Sequence, residues 1–157
     1  MEALGNEVAR DFSIIIAARS GQMSNYATLS VTLLDENDHP PKFLQSEYSV
    51  KILASSPIGT VAVHVQAHDP DNGQNGVIRY AIAAGTLQLF ESNDYGYFTI
   101  NRVSGEVSTV KALSAHEHSE ALLIVRATDQ AEYSRSDTCS VRIQTTIDEQ
   151  WQPIFQK

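Results

Sequence analysis

Asp35-Glu36-Asn37-Asp38-His39-Pro40-Pro41-Lys42-Phe43 crowds oxygen-bearing side chains ahead of two prolines. Proline forbids a helix here and stiffens the chain into an extended segment. The carboxylates repel one another. At an effective dielectric of about 20, two charges about 4 Å apart cost about 4 kcal/mol, so a cation is expected among them. Oxygen donors without cysteine suit a hard cation, and calcium fits that set best. The same chemistry returns at Asp69-Pro70-Asp71-Asn72-Gly73-Gln74-Asn75-Gly76. The expectation is a calcium-organised junction between two modules.

Outward from this junction the apolar residues fall at period two. Tyr48, Val50 and Ile52 alternate, as do Val61, Val63 and Val65, Leu123 and Val125, and Val141 and Ile143. That period, carried by Val and Ile, predicts half-buried strands. Turn signals separate the runs at Ser56-Pro57-Ile58-Gly59, Asp71-Asn72-Gly73, Asn75-Gly76 and Ser104-Gly105. About seven short strands between Phe43 and Ile147 fit an all-β sandwich of about 100 residues.

The chain also repeats itself. Phe12 to Arg19, then Thr28 to Leu34 and Asp35, has the layout of Leu122 to Asp129, then Ser140 to Ile147 and Asp148. Residues 1–34 are therefore expected to be the last two strands of a preceding module, here partial. Two strands alone rarely stay folded in water, so they are expected to pair with something outside this sequence, a second copy included, or to pack on the complete module.

Composition narrows the function classes. A net charge of −8 argues against nucleic acid, which demands a basic footprint. Cys139 is the single cysteine, so no intrachain disulfide forms. No run of 18 apolar residues predicts a membrane span, and Met1 opens no secretory signal, as expected of an excised piece of a longer chain. There is no Asn-x-Ser/Thr sequon, no Gly-x-Ser-x-Gly nucleophile motif and no phosphate-cradling glycine loop, so an enzyme is not expected.

Five motifs in order resemble the extracellular repeats of cadherins. Asp35 to Phe43 meets the family's Asp-x-Asn-Asp-Asn-x-Pro-x-Phe, with His39 in the last Asn place. Ala67 to Gly76 meets Ala-x-Asp-x-Asp-x-Gly-x-Asn-Gly, with Ile78 and Tyr80 following. Phe98-Thr99-Ile100 with Ser104-Gly105-Glu106-Val107 resembles a family hairpin, and Ala127-Thr128-Asp129 resembles its Ala-x-Asp. The resemblance implies a seven-stranded, Greek-key, immunoglobulin-like β-sandwich, joined to its neighbours through calcium ions. It makes 35–43 a calcium-binding linker, 44–147 a complete repeat and 148–157 a degenerate linker to the next module. It implies Asp35, Asn37, Asp38, Asp69, Asp71 and Asp129 as side-chain ligands, and Glu36, His39 and Asn75 as backbone ligands. Leu4-Gly5-Asn6-Glu7 resembles Leu-Asp-Arg-Glu and adds Glu7, although Gly5 stands where Asp is usual.

At the other end of the complete repeat the pattern decays. Ala54 stands where the family has Glu. Leu113-Ser114-Ala115-His116 replaces Leu-Asp-Arg-Glu, with Glu117 one place late. Ile147-Asp148-Glu149-Gln150-Trp151-Gln152-Pro153-Ile154-Phe155 keeps Pro-x-Phe and loses most carboxylates. A calcium-poor junction, or a next module of another kind, is expected.

The resemblance implies calcium-dependent adhesion on the extracellular side of the plasma membrane, in the ectodomain of a single-pass protein. The implied partners are other cadherin ectodomains, homophilic or heterophilic. The alternative is a ligand-binding repeat docking a protein through residues 83–97, a stretch longer than the family needs, which could equally tuck on its own sandwich. Trp151 is either an interface anchor or a residue packed under the sandwich end. Cys139 is expected to be buried. His116-Glu117-His118 reads as a solvated turn rather than a zinc pair, and His39, His64 and His68 read as surface residues.

Overall fold

A computed structural model describes residues 10–83, 96–116 and 119–148. Glu7, Glu117, His118, Trp151, the rest of 149–157 and residues 84–95 of the long loop lie outside the described residues.

The period-two runs are strands. β1 (Arg10–Ser20) and β2 (Met23–Leu33) form a two-stranded antiparallel hairpin. From Lys42 onward come β3 (Lys42–Phe43), β4 (Glu47–Leu53), β5 (Val61–His64), β6 (Ala67–His68), β7 (Arg79–Ile82), β8 (Phe98–Ile100), β9 (Glu106–Thr109), β10 (Glu120–Thr128) and β11 (Ser136–Thr146). One 3₁₀ turn spans Gly73–Gly76.

One sheet has the order β4-β11-β10-β7. Facing it are β5-β9-β8 and the short pair β3-β6. There are more segments than the expected seven strands because two strands are broken. The chain leaves β3, paired with β6, and crosses at Leu44-Gln45-Ser46 to β4, which runs parallel to β11. Leu44 N donates to Gln66 O at 2.9 Å and Ser140 N to Ser46 O at 3.0 Å, so the crossing wastes few backbone groups. β5 and β6 are likewise pieces of one expected strand.

The core is the set of inward positions. Ala121, Leu123, Val125 and Ala127 of β10 are buried opposite Ile143, Val141 and Cys139 of β11. Val107, Tyr80, Phe98, Tyr48 and Ile52 close it from the other strands, and Val65 from the link between β5 and β6. Cys139 is 3% exposed, as its alternation with Val141 and Ile143 predicts, and burial pushes its thiol up to about 12. Gly105 turns β8 into β9 at φ +78°, and a Cβ there would meet Val65 O at 2.4 Å. Only glycine takes that bend without strain.

The expected alternation over Val61, Val63 and Val65 is only partly realised. Val65 is fully buried, Val63 half-buried and Val61 50% exposed. The register slips between Val61 and Val63 where β5 meets β9, and a bulge of this kind re-aims the side chains before it.

In the hairpin, Phe12, Ile14 and Ile16 of β1 lie opposite Val31, Leu29 and Ala27 of β2 and share one face; Asp11, Ser13, Thr28, Ser30 and Thr32 share the other with Ile15, which is 72% exposed. Among the described residues nothing covers the apolar face: Ile14 is 50% and Ile16 51% exposed.

Candidate metal centre

Strand pairing brings three acidic segments to one end of the sandwich. β3 runs antiparallel to β6, with Lys42 opposite His68, so residues before Lys42 lie beside those after His68. β10 pairs with β7, Thr128 opposite Arg79, so Asp129 emerges beside the turn that precedes β7. Gln130 N donates to Gln74 O at 3.1 Å and ties that turn down.

The side chains interlock there. Asp35 Oδ2 accepts from Asn72 N at 3.0 Å and from Asn75 Nδ2 at 2.9 Å. Asn37 Nδ2 donates to Asp129 Oδ2 at 3.0 Å and to Tyr133 O at 2.9 Å. Asp71 Oδ2 accepts from His39 N at 3.1 Å, and Asp69 Oδ1 accepts from Asp71 N at 3.0 Å. The His39 ring nitrogen Nδ1 lies 2.5 Å from Asp38 Oδ1 and 3.0 Å from Asp71 Oδ1. Asp38, His39 and Asp71 offer ligand atoms within 4.8 Å of one another. Asp129 is fully buried and Asp69 nearly so. The Glu36 carbonyl accepts from Asp38 N at 3.0 Å.

The electrostatics follow from this crowding. Burial pushes the Asp69 carboxyl up from the ordinary carboxylate range, and the Asp71 and Asp129 charges push the same way against a backbone hydrogen bond. The hydrogen bond to Asp71, then the Asp38 charge, raise His39 above the usual imidazole range despite its partial desolvation. Asn37 Oδ1 and Asp69 Oδ2 are buried oxygens without a hydrogen-bond partner, and Asn72 Nδ2 is a buried donor without one. Two such oxygens among carboxylates form a donor set that accepts a hard cation better than a proton donor.

Of the residues singled out from sequence, Asp35, Glu36, Asn37, Asp38, His39, Asp69, Asp71, Asn75 and Asp129 all lie in these three segments. Two differ in detail. The His39 ring was expected at the surface with only its backbone in the site, yet it lies between two carboxylates, with its own amide held by Asp71. Asn75 was expected to act through its backbone, yet its side-chain amide also holds Asp35. His64 and His68 are exposed. Sequence reasoning missed Asn72, which sits inside a quoted motif, and also Tyr133, Arg135 and Asp137, which no motif marks. Asp137 Oδ2 accepts from Phe43 N at 3.1 Å and holds the end of β3.

The structure is a Greek-key sandwich with the acidic segment around Asp35 to His39 hydrogen-bonded across one end. Its residues 48–146 match the Cadherin domain. Mouse protocadherin-16 is 40% identical over 134 residues, covering 83% of this chain and 4% of that protein. Human protocadherin Fat 1 is 31% identical over 157 residues, covering 98% of this chain and 3% of that protein. Mouse clustered PcdhgC3 EC1-3 superposes with a TM-score of 0.70 at 25% identity, covering 87% of this chain and 43% of that chain. The chain belongs to the cadherin family, a family of adhesion proteins rather than enzymes. It spans only a few per cent of the length of these two relatives, 4% and 3%. Among the described residues no helix is long and apolar enough to cross a membrane.

Proposed function

We propose that this chain is part of a calcium-dependent adhesion ectodomain in which calcium at residues 35–43 stiffens the junction between two repeats. The observation that carries the reading is the pair of unpartnered buried oxygens, Asn37 Oδ1 and Asp69 Oδ2, with the charges of Asp71 and Asp129 both acting on Asp69. Asp35, Asn37 and Asp38 of the linker and Asp69, Asp71 and Asp129 of the repeat would hold the ion by side chains, with Glu36, His39 and Asn75 contributing backbone and Glu7 reaching in from the preceding repeat. The ion supplies positive charge that offsets carboxylate repulsion. The linker residues then keep one fixed angle to the repeat, so that adhesive repeats are presented at a distance from the cell surface. Partners of this kind are other cadherin ectodomains, homophilic or heterophilic, met on the extracellular side of the plasma membrane.

The domain reading belongs to the same proposal: 1–34 closes a preceding repeat, 35–43 is the linker, 44–147 the complete repeat and 148–157 a degenerate linker. The exposed apolar face of β1 and β2 supports the first of these, since it is half of a core. Alone in solution this face is offered to a second copy of the chain. Light scattering should show the average mass rising with concentration, and a monomer at every concentration would refute self-association.

At the carboxyl-terminal end a calcium site wants about six to eight oxygens, and Ala54 and His116 stand where two are expected. In a protein extended through the next module, a calcium titration followed by NMR should move Asp35, Asp69 and Asp71 at sub-millimolar calcium and leave Asp148 and Glu149 still. Saturable shifts at the second pair would overturn the calcium-poor junction, and none at the first set would overturn the metal centre. Docking through residues 83–97 remains the rival reading, but no observation on the described residues favours it.

A further inference from the structure

Arg135 is exposed, lies just before β11 and belongs to none of the motifs that mark the family resemblance. Its Nη1 donates to the Asp38 carbonyl at 3.0 Å. Its own backbone is fixed on both sides. Arg135 N donates to Asp129 Oδ2 at 3.0 Å, and Arg135 O accepts from Asp129 N at 3.1 Å. Because Asp129 is fully buried, the anchor belongs to the rigid part of the sandwich.

The Asp38 carbonyl and the His39 amide are the two ends of one planar peptide group. Asp71 takes the amide end at 3.1 Å and Arg135 takes the carbonyl end at 3.0 Å. The peptide is gripped at both ends, from the loop after β6 and from the loop before β11. Gripping a planar group at both ends sets its orientation, and that in turn sets where the Asp38 and His39 side chains leave the backbone.

We propose that Arg135 is a positioning residue that clamps the Asp38–His39 peptide opposite Asp71 and seats the linker on the complete repeat. Its effect on calcium rests on the metal-centre reading above; its effect on the linker does not. The Arg135 charge works in the other direction, since a guanidinium repels a nearby divalent cation. That repulsion is between an exposed group and the site, so salt screens it, whereas the hydrogen-bonded clamp survives salt.

The test compares the full chain with Arg135→Ala and Arg135→Lys. Amide hydrogen exchange is read without calcium, and calcium affinity is read by calorimetry in high salt. Arg135→Ala should speed exchange at His39 about fivefold, the effect of one net hydrogen bond, and weaken calcium binding by a similar factor. Ala54 N, which donates to Thr146 O at the opposite end, should exchange as in the parent and report an intact fold. Arg135→Lys keeps a charged donor and should recover part of both losses. Unchanged exchange at His39 in Arg135→Ala overturns the clamp. Tighter calcium binding by Arg135→Ala in high salt overturns the positioning role in favour of a purely repulsive one. Faster exchange in a chain whose parent binds no calcium leaves the clamp standing and removes the metal-centre reading instead.

Discussion

Gly76→Ala should lower the stability of the calcium-free chain by about 3 kcal/mol, the upper part of the range for forcing atoms into a filled space. A Cβ on Gly76 would stand 2.0 Å from the Asp71 carbonyl oxygen and 2.9 Å from its carbon. Neither is the tip of a flexible side chain. Relief has to come from the main chain of Asp71, which carries the Asp71 carboxylate and the hydrogen bonds to Asp69 and His39. The substitution should therefore reduce calcium-linked stabilisation as well as intrinsic stability. Urea unfolding with and without a chelator measures both. A variant within about 0.5 kcal/mol of the parent, the usual range for a harmless surface change, would show that the turn at Gly73–Gly76 can open without disturbing Asp71.

Asp71→Ala should leave the calcium-free chain nearly as stable as the parent and remove most of the calcium response. Asp71 is almost fully buried, at 5% side-chain exposure, among like charges. Its loss relieves repulsion with Asp69 while giving up the bonds from His39, two effects of opposite sign. In the loaded protein nothing compensates. A ligand that binds only the folded form at 100 times its dissociation constant adds about 2.7 kcal/mol, or roughly 10 °C in Tm for a domain of this size. Thermal melting with and without calcium checks this, and an undiminished calcium shift in the variant would remove Asp71 from the site.

The strand pattern was legible because burial alternates with side-chain direction. Leu123, Val125, Val141 and Ile143 all read as inward and are all buried. The break between β3 and β4 was not legible, because the sequence around Leu44 shows continuous extended chain and the change of sheet is set by which partner strand is near. The bulge at Val61 was hidden for a similar reason: local alternation persists in the sequence while pairing with β9 slips. At the candidate metal centre, motif spacing located the carboxylates, whose chemistry is visible in one dimension. Tyr133 was invisible because it offers Asn37 only its main-chain carbonyl, and Arg135 because its guanidinium meets the main-chain carbonyl of Asp38 and no motif side chain. Which loop residue meets those main-chain atoms depends on loop path, which motif spacing does not encode.

The parallel pairing of β4 with β11 has a mechanical consequence. The chain enters β4 from the linker side at Glu47, opposite Ser140, and leaves β11 at Thr146, opposite Leu53. A pull on the two ends of the repeat draws these strands past each other along their own length. The rungs from Ser140–Glu47 to Thr146–Leu53 are then loaded together, in shear, instead of parting one after another like a zipper. The crossing at Leu44-Gln45-Ser46 is what places β4 beside β11 and so lets such a pull load them in shear.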